Sequence, residues 1–120
     1  MAQGQVRYPA DLPAPPVKFY AYPPAADQEV VLEVMRIGDA AVVGVKPEMM
    51  TATNRYLKER SPFKYTMLFA MVNGGQDYIP TDYDYDRFEY PALHATVARG
   101  TDKRFLEESL RLLEELRSGE

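Results

Sequence analysis

Glu48 and Tyr78 are a carboxylate and a phenol that each follow an apolar run, residues 41–45 and 65–72. Read as strands, those runs end at Lys46-Pro47-Glu48 and in residues 73–81. In open α/β sheets the reactive groups sit beyond the carboxyl ends of the strands, so both side chains are expected on one rim. The plainer alternative is that Glu48 serves a helix N-terminus and Tyr78 only packs. Other chemistry has less to stand on. Ser61 precedes a proline, Ser109 lies inside the last helical pattern and Ser118 lies at its end, and none occupies a G-x-S-x-G elbow. Gly74-Gly75 is followed by neither a lysine nor a capped helix, so no phosphate-cradling loop is present. Residues 76–90 interleave Asp and Tyr, as a cation or sugar surface would, but lack the glycine and terminal glutamate of an EF-hand loop. A loop with a short helical turn after Thr81, its rings packed on the sheet edge, is the expected form. The single histidine, His94, lies beyond Tyr78.

The elements that must position Glu48 and Tyr78 have local causes. Val42, Val43 and Val45 are β-branched, which suits a buried strand. Pro47 fits the first turn of a helix, where its missing N–H costs nothing, and Glu48 then meets the positive end of the helix dipole. Met49, Met50, Thr53, Tyr56 and Leu57 share one helical face, while Asn54, Arg55, Lys58 and Glu59 fall largely on the other. Ser61-Pro62 stops that helix, because the residue before a proline is pushed out of the α region. Residues 65–72 form the next strand, ended by Asn73-Gly74-Gly75, and the three pieces make a βαβ unit. Ahead of it, residues 29–37 alternate: Val30, Leu32 and Val34 point one way, and Glu29, Val31, Glu33, Met35 and Ile37 the other. Gly38-Asp39 is a two-residue hairpin turn into the first strand of the βαβ unit. Residues 91–99 read as a short extended piece. Thr101 is expected to N-cap a last helix with Asp102 in its first turn, and Glu107 sits four residues before Arg111. Phe105, Leu106, Leu110, Leu112, Leu113 and Leu116 give that helix a wide apolar stripe, and Gly119 closes it. The fold class is therefore α/β: a small mixed β-sheet, made of an antiparallel hairpin plus a βαβ unit, with a C-terminal docking helix and a Pro-rich N-terminal strap.

Several of these segments also carry a family resemblance. Arg36-Ile37-Gly38-Asp39, the apolar strand 41–45, Glu48, Lys58-Glu59-Arg60-Ser61-Pro62-Phe63, Asn73 and Tyr78-Ile79-Pro80-Thr81 resemble the C-terminal part of the neutral/alkaline (non-lysosomal) ceramidase-like zinc hydrolases. The likeness extends through Phe88-Glu89 and Gly100-Thr101 into the last helix and covers roughly residues 30–117. It implies a zinc amidase, in which two histidines, a glutamate and a tyrosine hold a zinc ion that activates water against the amide of an N-acyl sphingoid lipid. The family's glutamate, in a Pro-Gly-Glu turn, matches Glu48, and its tyrosine, opening a Tyr-Ile-x-Thr run, matches Tyr78. Two departures stand out. Lys46-Pro47 replaces the family's proline and glycine, so φ is locked and a cation stands beside the carboxylate. The family's histidines lie upstream of everything present here, and His94 matches neither. A catalytic zinc takes about three protein ligands and an open position. Zinc is thus expected only with an additional chain, and no cofactor for this chain alone.

Composition fits one small domain. The 120 residues are 46% hydrophobic and 27% charged, with a formal net charge of −4. No Lys/Arg cluster is present, which argues against nucleic acid as a partner. There is no cysteine, hence no disulfide or thiolate chemistry. No apolar run approaches the ~20 residues of a transmembrane segment, and no signal peptide is visible at the start, so a cytoplasmic location is the default. Residues 1–28 hold six of the ten prolines and are expected to be extended, PPII-like or disordered, with residues 29–120 as the single α/β domain. Two functions follow: the C-terminal segment of a ceramidase-like amidohydrolase, supplying Glu48 and Tyr78 to a metal site completed by another polypeptide and inactive alone; or a non-catalytic assembly or binding module derived from that fold. The expected partner is a second copy, as a homo-oligomer, or an N-terminal hydrolase segment. The outward apolar residues of strands 30–37 and 65–72 argue for burial of both sheet faces, by a second copy of the chain or by the Pro-rich start folded back over the open face.

Overall fold

The computed structural model describes residues 5–6, 24–25, 29–72, 74–75 and 77–119. Its centre is a three-stranded mixed sheet of order β3-β4-β6, built from β3 (Leu32–Ile37), β4 (Ala40–Val45) and β6 (Tyr65–Phe69). β3 pairs antiparallel with β4 through the expected two-residue turn, with Gly38 at φ 60°, the left-handed value its missing Cβ permits. β4 pairs parallel with β6, and helix α1 (Thr51–Arg60) makes the crossover. The remaining described elements are β1 (Gln5–Val6), β2 (Pro24–Ala25), β5 (Glu48–Met49), β7 (Tyr78–Ile79), α2 (Asp82–Asp86), α3 (Tyr90–Leu93) and α4 (Thr101–Ser118). β1 and β2 pair antiparallel; otherwise the expected course of residues 1–28 lies outside the described residues, as do Asn73 and Gln76.

One face of the sheet is covered. Ala41, Val43 and Val45 are buried against Leu57 of α1 and Phe105, Leu106 and Leu113 of α4, with Val30, Phe63, Ile79 and Val97 closing the cluster. Leu32, Val34 and Leu68 pack against it from the outer strands. No described helix is long and apolar enough to cross a membrane.

The structure corrects several boundaries. Helix α1 begins at Thr51, not at Pro47, and no acidic residue occupies its first turn. The Glu48 N–H instead donates to the Asp77 carbonyl at 2.7 Å, and this ladder bond, with an extended Met50 at ψ 150°, delays the helix. Thr53 and Leu57 do face inward, but Tyr56 is exposed. β6 ends at Phe69, because Met71 turns left-handed (φ 59°) and brings the Val72 N–H back to the Val45 carbonyl at 3.1 Å. Residues 91–99 do not open as an extended piece: Pro91 sits in the first turn of α3, where its absent N–H costs nothing. Gly100 (φ 91°), rather than Thr101, is the N-cap of α4, and the Thr101 hydroxyl donates to the Ala98 carbonyl at 2.7 Å. Arg111 pairs with Glu108 and Glu115, not with Glu107.

Candidate functional site

Glu48 and Tyr78 lie side by side. They are register partners in the parallel ladder of β5 and β7, with Met49 and Ile79 as the next pair. Neighbouring strands are about 4.8 Å apart, so two such side chains meet without any further device. The local sequence explains the ladder. Buried Pro47 and Pro80 bracket it and leave the short strands little freedom, and Asp77 enters it in a left-handed conformation (φ 46°) with its carbonyl held by Glu48. Beneath, Ile79 is fully buried in the main core, which anchors β7.

The Glu48 side chain is exposed and Tyr78 is half-buried. Partial desolvation pushes the Tyr78 phenol above its ordinary pKa. The Glu48 carboxylate adds to that shift by repelling the phenolate and by accepting the phenol's hydrogen bond, and Tyr90 and Asp77 act in the same direction. Tyr78 is therefore a protonated donor at neutral pH, and its partner is the carboxylate. Tyr90 stacks edge-on against Tyr78, with ring centroids 5.9 Å apart. His94 lies beyond it, 4.2 Å from the Tyr90 ring. No local composition signal marks this aromatic extension. The four-residue spacing of Tyr90 and His94 was the available signal, legible once Pro91 is read as a helix start rather than a strand.

Two oxygen donors do not make a zinc centre. Among the described residues no group of three or more His, Cys, Asp and Glu side chains is disposed to hold a metal ion. The phenol would also have to release a proton that Glu48 helps to retain. Lys46 is exposed, and its Cε lies close to Gly74, 3.4 Å from where a Cβ there would stand. For the isolated chain, zinc affinity is expected to be weaker than a Kd of about 1 μM. Calorimetry at neutral pH without chelators checks this, and stoichiometric submicromolar binding lost on Glu48→Ala would contradict it. Compared with known proteins, the chain matches no family model, no curated protein and no solved structure.

Proposed function

We propose that this chain is the C-terminal part of a ceramidase-like zinc amidohydrolase, contributing Glu48 and Tyr78 to a metal site that another polypeptide completes. The observation that carries this reading is the register pairing of Glu48 with Tyr78 as the first pair of the short parallel β5–β7 ladder. Two residues 30 positions apart, matched separately to a family's glutamate and tyrosine, meet in space. A chain used only for packing has no need to put an exposed carboxylate against a phenol. The donors still lacking are neutral imidazoles, and the polypeptide that supplies them is expected to carry two histidines. Loss of Glu48 or Tyr78 should then abolish amide hydrolysis by the joined pair without separating it. The check is release of a fluorescent amine from an N-acyl sphingoid substrate by the chain joined to a candidate polypeptide of that kind. Glu48→Gln is expected to lower the rate by at least ~100-fold, since even groups that only orient a metal's ligands are worth 10–100-fold. Unchanged hydrolysis would overturn the assignment.

A second reading rests on a separate observation. Among the described residues nothing covers the sheet face opposite α1 and α4, where Met35, Ile37, Tyr65, Met67 and Phe69 are exposed. That surface supports an assembly module derived from the same fold, with a second copy of the chain as its partner. The two readings differ in what Glu48→Gln changes: hydrolysis in the first, nothing in the second.

A further inference from the structure

Between α1 and α4 lies a cavity of about 420 Å³, which shares no residue with the Glu48–Tyr78 pair. Its apolar surface comes from Ala52 and Tyr56 of α1 and from Leu106 and Leu110 of α4. Thr53, Thr81, Asp102, Lys103 and Glu107 complete the lining, and two of these polar side chains are deeply buried. Thr53 is 2% exposed and Asp102 is 7% exposed. The Thr53 Oγ1 and Asp102 Oδ1 atoms are buried and have no hydrogen-bond partner. Burial pushes the Asp102 carboxyl above its ordinary pKa, and the backbone N–H groups at the start of α4 offset part of that shift. Leaving such atoms unpaired is costly, and native structures seldom carry two beside one hollow.

We infer that this cavity binds a compact primary amine with an apolar, single-ring body. An ammonium offers three donors and no acceptor, which matches a carboxylate oxygen together with a hydroxyl oxygen. The nearest lysine does not fill the role, because the Lys103 ammonium is 2.6 Å from Asp82. Arg99 is likewise committed to Asp82 and Asp86. Glu107 at the mouth adds a second negative charge, so with Asp102 the lining carries two carboxylates against the one ammonium of Lys103. The volume lies at the compact end of the usual ligand-site range of ~300–1,000 Å³, which sets the size of the body. The Tyr56 ring and the two leucines supply the surface for it.

Phenethylamine titrated into the isotope-labelled full chain tests the inference, with 2-phenylethanol as its neutral counterpart. The amine is expected to give saturable amide shifts centred on Thr53, Leu106 and Leu110. The alcohol should bind at least about tenfold more weakly, the discrimination a charged partner confers. Asp102→Asn should remove that preference. Ala52→Phe, at an exposed helical position that preserves the fold, should fill the hollow and abolish binding of both probes. Absence of saturable shifts at the cavity would overturn the proposal. So would equal binding of amine and alcohol, or amine binding that survives both Asp102→Asn and Ala52→Phe.

Discussion

Leu57→Ala is expected to lower the stability of this domain by about 2–5 kcal/mol, the usual cost of emptying a leucine site in a core. Leu57 is fully buried and belongs to the cluster that joins α1 to the sheet and to α4. The helix has little else to hold it. Its first turn carries no acidic residue, its N-cap makes no side-chain hydrogen bond, and only Thr53 and Leu57 are buried within it. Removing one of two anchors therefore loosens the βαβ crossover as a whole. With a total stability of ~5–15 kcal/mol for a typical domain, the variant is left marginal. Urea unfolding measures it, and a midpoint falling by roughly 1 M or more is the expected reading at ordinary m-values. Tyr56→Ala, next door on the exposed side, is the control and should stay within about 0.5 kcal/mol. Equal effects at the two positions would contradict the packing described.

On the assembly reading, Met67→Asp is expected to abolish self-association while leaving the fold intact. Met67 occupies the middle of the open sheet face, where the pairing places three rows side by side: Ile37–Ala40–Tyr65, Met35–Val42–Met67 and Glu33–Gly44–Phe69. Eight of these nine residues are uncharged, Glu33 being the exception. Met35, Ile37, Tyr65, Met67 and Phe69 are 42–60% exposed. At about 100 Å² apiece they form an apolar patch of roughly 500 Å², a size that on soluble proteins marks an interaction surface. A carboxylate at its centre would be buried unpaired on association, which is why the effect should be large. The core does not feel the change, since Met67 points away from it. Light scattering at micromolar concentration is the measurement. The native chain should give a multiple of 13.7 kDa and the variant a single copy. A native mass near 13.7 kDa would show the face to be unused by a second copy.

Much of this fold is legible in the sequence because its signals are local. The alternation of residues 32–37, the Gly38-Asp39 turn, the valine strand and the Ser61-Pro62 stop each act through neighbouring residues, and each appears where expected. The misplaced boundaries are those decided by distant partners. Pro47-Glu48 reads as a helix start by every local rule, yet the backbone of Glu48 is taken by Asp77, 29 positions later. That same non-local bond is what brings Glu48 to Tyr78. The candidate pair was legible as two rim residues, but their direct contact was not, because a two-residue parallel ladder leaves no pattern in composition or period. His94 was passed over for a related reason: its place beside Tyr90 depends on Pro91 starting a helical turn, and a proline followed by mixed small and apolar residues reads as well as an extended run.

Glu48 and Tyr78 are proposed as half of a metal site. The most direct test is the zinc content of the chain purified together with a candidate polypeptide that carries two histidines, measured by elemental analysis after dialysis. One zinc per complex is expected in the native pair, and loss of that zinc, with the complex still assembled, in Glu48→Gln and in Tyr78→Phe. A complex that retains its full zinc when both substitutions are present would contradict it.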